Sequence, residues 1–269
     1  MRRNPVVVIG IVVVLIWIVL AFLAPVIAPK NPLEQDVSNR LQPPSETALM
    51  GTDELGRDIF SRVLYGARIT IPAALVVVFF VSIIGTLTGA LAGYLGGNWD
   101  EFLMRLTDLF MAFPTIILAM AITAALGADL RNAVLALIIV RWPSYSRLTR
   151  GLVLEAKNQE YVKASRSLGA SHTYILSRTL LPNTIAPALV YASLDVGTAI
   201  LLFAGLSFLG LGPEPASPEW GRMVSIGIDF FDQWWMWLFP GAAIASLVLA
   251  FNFIGDGLRD MLDPHTRKL

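Results

Sequence analysis

The chain has 269 residues, of which 55% are hydrophobic and only 15% charged, and its formal net charge is zero. Soluble domains carry about 25% charged residues, so this composition, with a mean hydropathy of +0.65, is that of a membrane protein. No bulk positive charge argues for nucleic acid. The absence of cysteine excludes a disulfide framework and a thiolate metal site, and His172 and His265, far apart, form no imidazole cluster.

In chain order, Arg2 and Arg3 precede a charge-free run from Asn4 to Pro29. A hydrocarbon core of about 30 Å needs about 20 helical residues, so this run is expected to be a first span. It exceeds the apolar core of about 7–15 residues in a signal peptide, and Pro29 disfavours cleavage after Ala28. Lys30–Arg68 is polar. Its second half, Gly51–Arg68, spaces Ile59, Phe60, Val63, Leu64 and Ala67 at helical intervals, which predicts a short amphipathic helix on the membrane surface. Ile69–Trp99 is charge-free and forms a second expected span, with Gly85, Gly89 and Gly93 on one face for close helix contact. A third, Leu109–Ala128, is interrupted by Pro114 and follows Asp100, Glu101, Arg105 and Asp108. The fourth is the shortest: only Asn132–Val140 is charge-free, which sets Arg141 toward its cytoplasmic end with Arg147 and Arg150 beyond.

Glu155–Pro187 is a polar island in this apolar sequence. Asn158–Leu168 reads as helix, Gly169 stands where a helix C-cap glycine belongs, and a second run, Ser171–Leu181, is expected to stop at Pro182. The product is a basic helix–Gly–helix–Pro hairpin shaped for docking to a soluble partner. A fifth span, Thr184–Leu206, contains Asp195, and Gly205–Trp220 is a Gly/Pro-rich surface or re-entrant loop. A sixth, Gln233–Gly255, opens with Trp234, Trp235 and Trp237 as an interfacial belt. Thirteen of the 20 Lys and Arg residues fall at the two ends of the chain, near Arg105, or between Arg141 and Arg178. The positive-inside rule therefore places the hairpin and both termini in the cytoplasm.

Four segments carry a resemblance. Lys163-Ala164-Ser165, Gly169 and Thr179-Leu180-Leu181-Pro182 resemble the E-A-A-x3-G-x9-I-x-L-P loop of ABC-importer permeases, with Lys163, Ser165 and Thr179 as departures. Gly51, Thr52, Asp53, Gly56, Arg57, Asp58, Arg62, Gly66 and Arg68 match a stretch of the peptide/nickel subfamily. Leu206–Gly212 with Pro218, Trp220 and Gly221 matches a second, although Ala216 sits where a proline is usual. Asn252–Pro264 is similar to the subfamily's tail. The chain is thus identified as a member of the dipeptide/oligopeptide/nickel permeases, of the "C" type.

The resemblance implies an all-α polytopic membrane protein with six transmembrane helices and a cytoplasmic coupling hairpin between spans four and five. Residues 1–68 would be an N-terminal anchor and extracytoplasmic loop, and 69–269 a permease core with its coupling loop at 149–183. It also implies import of peptides, or alternatively nickel or glutathione, into the cytoplasm of a prokaryote across the inner membrane. Implied partners are a second homologous permease, two cytoplasmic ATP-binding subunits holding ATP and magnesium, an extracytoplasmic substrate-binding protein and the lipid bilayer. The chain has no G-x4-G-K-[ST] phosphate loop of its own. Lys163, Ala164, Ser165, Arg166, Gly169, Ala170, Tyr174, Arg178, Leu181 and Pro182 would contact the ATPase. Asp195 is a candidate for steering a cationic or amino-terminal substrate, beside Phe203, where the family commonly has an acid; packing by hydrogen bond is the plainer role. Rival classes are a secondary transporter, which needs a relay of ionisable residues across several spans, and a membrane scaffold without nucleotide response.

Overall fold

The computed structural model describes residues 5–262. Arg2 and Arg3, and at the other end Asp263, Pro264 and His265, lie outside the described residues, so the tail motif is seen only in part. The described chain is helical apart from loops and one antiparallel bridge between Thr52 and Asp58. The helices are α1 (Pro5–Ile27), α2 (Ile59–Leu95), α3 (Gly97–Met111), α4 (Thr115–Leu126), α5 (Leu130–Ala156) and α6 (Glu160–Ser167). After a reversal come α7 (His172–Tyr174), a π-helical segment Ile175–Leu180, α8 (Leu181–Phe208), α9 (Trp220–Asp229) and α10 (Trp234–Leu262).

Among the described residues, four helical stretches are long and apolar enough to cross a membrane: Pro5–Ile27, Ile59–Leu95, His172–Phe208 and Trp234–Met261. The α3–α4 pair makes a fifth if it counts as one span, but it bends by 86°. The interruption expected at Pro114 is therefore an elbow. Proline lacks the N–H that would continue the ladder and pushes the residue before it out of helical geometry.

The core forms where α2, α5, α8 and α10 meet, with α1 along the outside of α10. Gly85, Gly89 and Gly93 do face a neighbour. A Cβ on Gly85 would stand 2.4 Å from the Cβ of Tyr145, and one on Gly89 would stand 2.2 Å from the carbonyl oxygen of Ser146. Bare backbone is what lets α2 and α5 interlock this closely. Along α5 the arginines meet acids of other helices. Arg150 grips Asp100 of α3 through two bonds of 2.5 and 2.7 Å, Arg147 pairs with Asp108 of α3, and Arg141 pairs with Asp195 of α8.

Several expectations need correction. No separate surface helix forms over Gly51–Arg68: Ile59 opens α2, and the boundary at residue 68 falls inside that helix. The supposed membrane-facing residues Ile59, Val63 and Ala67 are buried in the core, and Arg62 is buried with them. Arg62 donates to the carbonyls of Pro32 (2.9 Å), Ala216 (3.2 Å) and Ser217 (3.1 Å), binding two loops to α2. Its neighbour Asp53 takes Arg57 at 2.6 Å, and Asp58 caps α2 by accepting from the Ser61 N–H at 2.7 Å. Burial pushes the Glu54 carboxyl beside them above the usual range.

Arg141 does not end a short helix but lies near the middle of a 27-residue one. Its charge is answered by Asp195, so it need not reach the interface. Helix continues through Pro182 as well. The preceding π turn shifts the ladder, with the Leu181 N–H reaching back to Leu176, and Pro182 falls in the first turn of α8, where no N–H is needed. The stretch read as a loop after span five begins as the last turn of α8 and ends in a helix, α9, whose first turn Glu219 caps by accepting from Gly221 and Arg222 at 3.0 and 2.9 Å. Between them Gly210, at φ 81°, closes α8. Trp235 is no belt residue: it is buried and donates to the Thr52 carbonyl at 3.1 Å.

Candidate functional site

The hairpin is built by three local devices. α6 ends in a Schellman turn: Ala170 N–H donates to the Ser165 carbonyl at 3.1 Å, and Gly169 N–H to that of Arg166 at 2.9 Å. This puts Gly169 at φ 80°, a conformation open to glycine at little strain. Ser171 then caps the next helix by accepting from the Tyr174 N–H at 3.2 Å.

A second hydrophobic cluster fixes the hairpin to the body. Val162, Ile175 and Leu180 pack on Ala90 and Tyr94 of α2 and Val153 of α5. Around it, Tyr94 Oη and His172 Nδ1 are 2.8 Å apart, the Arg166 guanidinium lies 5.8 Å from the Tyr94 ring centre, and Lys157 Nζ donates to the Gly93 carbonyl at 2.8 Å. The opposite face is open. Leu168 is 88% exposed and Tyr174 55%. Lys163, Ala164, Arg166, Gly169 and Arg178 are exposed with them, as is Pro182, while Ser165, Ala170 and Leu181 are half-buried at the edge. Most of the predicted loop residues are thus exposed.

Within the helical body, Asp195 is buried and both its oxygens are engaged. Arg141 Nη2 donates to Oδ1, and Tyr145 Oη donates to Oδ2 at 3.1 Å. Arg141 Nη1 is buried without a partner. Arg141 lines a cavity of about 290 Å³ between the α3–α4 elbow, α5 and α8. Phe203 belongs elsewhere: it is fully buried in the core, and the α8 residues that reach this cavity are Thr198 and Leu202. Sequence reasoning named Arg141 and Asp195 separately but missed their pairing, a contact across 54 positions. An aspartate alone in an apolar helix, and an arginine ending an apolar run, were the signal that could have joined them.

The description "Binding-protein-dependent transport system inner membrane component" matches residues 85–268, and "N-terminal TM domain of oligopeptide transport permease C" matches residues 1–44. Two relatives align over 98% of this chain. "Probable D,D-dipeptide transport system permease protein DdpC" of Escherichia coli is 44% identical with 89% of its length covered. "Dipeptide transport system permease protein DppC" of Alkalihalophilus pseudofirmus is 42% identical with 87% covered. In fold, the chain is similar to a chain of the inward-facing MetNI methionine ABC transporter, with a TM-score of 0.63 at 22% identity over 76% of this chain and 98% of that one. This chain therefore belongs to the family of binding-protein-dependent transport system inner membrane components.

Proposed function

We propose that the chain is the permease subunit of an ATP-driven ABC importer that carries di- or oligopeptides into the cytoplasm by alternating access. The near-full-length likeness to permeases named for dipeptide transport carries this reading. In it, α5 is the sixth crossing, beside α1, α2, the bent α3–α4 pair, α8 and α10, and both chain ends are cytoplasmic. The pairing of Arg141, Arg147 and Arg150 with acids on α8 and α3 supports placing so charged a helix in the bundle.

The exposed hairpin face is the docking surface for a cytoplasmic ATPase. Leu168 and Tyr174 supply apolar contact, and Lys163, Arg166 and Arg178 supply charge. ATP and magnesium belong to two such subunits. A second homologous permease completes the membrane unit, and an extracytoplasmic binding protein delivers the peptide. Asp195 and Phe203 stand behind the path, on α8, and the chain before α2 forms the anchor and outer loop of the core.

The test is to purify the tagged chain gently from its native membrane, as wild type and as Gly169→Asp, and to measure ATP-dependent dipeptide uptake after reconstitution. A co-purifying ATPase and second permease, with the ATPase alone lost in the variant, support the reading. A wild-type chain that arrives alone and still imports substrate refutes it in favour of a secondary transporter.

A further inference from the structure

Resting on the peptide reading, we propose that Arg141 binds the C-terminal carboxylate of a peptide in the cavity at the α3–α4 elbow, with Asp195 as the positioning residue that holds the guanidinium. Asp195 is badly placed to take the peptide's ammonium group, because it is not among the residues lining the cavity and its oxygens already accept from Arg141 and Tyr145. Arg141 is the opposite case. Its side chain is only 9% exposed, Nη2 is tied to Asp195, and Nη1 is a charged donor with no acceptor. Buried donors are nearly always paired, and leaving one unmade is costly. An orphan donor on a residue that lines a cavity is what a ligand entering beside it would complete.

The cavity suits that ligand. Its volume of about 290 Å³ lies at the small end of ligand pockets, about 300 Å³ upward, enough for a terminal residue and its carboxylate. Thr115, Ser144 and Thr198 offer neutral hydroxyls, and Phe113 and Leu202 offer apolar wall for varied side chains. The planar guanidinium fork is the group best matched to a carboxylate. Asp195 both neutralises the arginine, making its burial tolerable, and fixes which edge faces the peptide. One such contact with otherwise unspecific walls would hold many sequences weakly enough to release them.

The experiment uses the complete importer with its binding protein in proteoliposomes and compares uptake of dialanine with dialanine amide, which lacks the anionic terminus. Variants are Arg141→Lys, which keeps a cation, and the double variant Arg141→Gln/Asp195→Asn, which removes both charges so that neither is stranded. The binding protein is the same in every arm, so its own preference cancels between variants. The proposal expects the ratio of acid to amide uptake to fall about tenfold in the double variant, the worth of one hydrogen bond to a charged group. It expects amide uptake to persist there, and Arg141→Lys to retain much of the ratio. Dialanine imported by the wild type at an acid-to-amide ratio that the double variant leaves unchanged overturns the carboxylate site alone. ATP-dependent uptake of no dipeptide by the wild type overturns the peptide reading, and this site with it.

Discussion

The tightest of the glycine approaches between α2 and α5, Gly89 against Ser146, makes a sharp test of how the body is held together. In Gly89→Ala the new Cβ would stand 2.2 Å from the Ser146 carbonyl oxygen and 2.9 Å from its carbonyl carbon and Cα. An ordinary heavy-atom contact is about 3.5 Å, so the shortfall exceeds an ångström, and the obstacle is backbone that no rotamer change relieves. Overpacking of this kind costs about 1–3 kcal/mol. The same substitution raises helix propensity by about 1 kcal/mol, which would mask part of the loss. Gly241→Ala supplies the reference, since its Cβ would meet nothing within 4 Å and it lies in the interior of α10. Propensity cancels in the comparison and the clash remains. Thermal unfolding of the two purified variants in one mild detergent should place Gly89→Ala lower by several degrees, at about 2–4 °C per kcal/mol for a chain of this size. Equal midpoints would refute the claim that α2 and α5 are interlocked through bare backbone.

Three further outcomes are expected. Arg62→Lys replaces a fork that reaches three loop carbonyls with a single ammonium, so it should destabilise by about 3 kcal/mol; limited proteolysis should then cut first within the loop preceding α2. Burial pushes the Glu219 carboxyl above its ordinary 4.5, so the folded chain holds a proton that the unfolded chain has lost. Stability therefore falls as pH rises from 4.5 through the raised value. Glu219→Gln lacks this term, and the wild-type midpoint minus the variant's should decline across that window, whereas a flat difference would contradict it. Gly169→Ala meets no atom within 4 Å but is held at φ 80°, so its cost is backbone strain of about 1–2 kcal/mol. Hydrogen exchange should quicken in residues 160–180 while the global midpoint holds.

What was legible in the sequence depended on how local its cause was. Long apolar runs declared α1, α2, α8 and α10 because hydrocarbon thickness sets their length. Gly169 declared its turn, since its reason lies in its own φ. The failures share a different cause, contact between residues remote in sequence. Arg62 looked like the polar face of a surface helix because its acceptors lie 30 and 154 positions away. Trp235 looked like a lipid anchor until the Thr52 carbonyl, 183 positions off, was beside it. Arg141 looked like a helix end until Asp195 was placed opposite. α9 was hidden differently: ten residues with a glutamate cap are too short to stand out beside spans three times as long.

These contacts bear on how motion would pass through the molecule. The hairpin is anchored on Ala90, Tyr94 and Val153, so a load on it falls on the same ends of α2 and α5. Those helices are locked at Gly85, Gly89 and Gly93 and cannot slide past each other without parting backbone. They must move together, carrying Arg141 with them. Arg141 is in turn tied to α8 through Asp195, while the elbow helix α4 has no ion pair to either among the described residues. Displacement of the hairpin would thus carry α2, α5 and α8, and α3 with them through Arg147–Asp108 and Arg150–Asp100, against α4 at the elbow where the Arg141 cavity lies. A permease worked this way would open and close its carboxylate site without breaking a single buried ion pair.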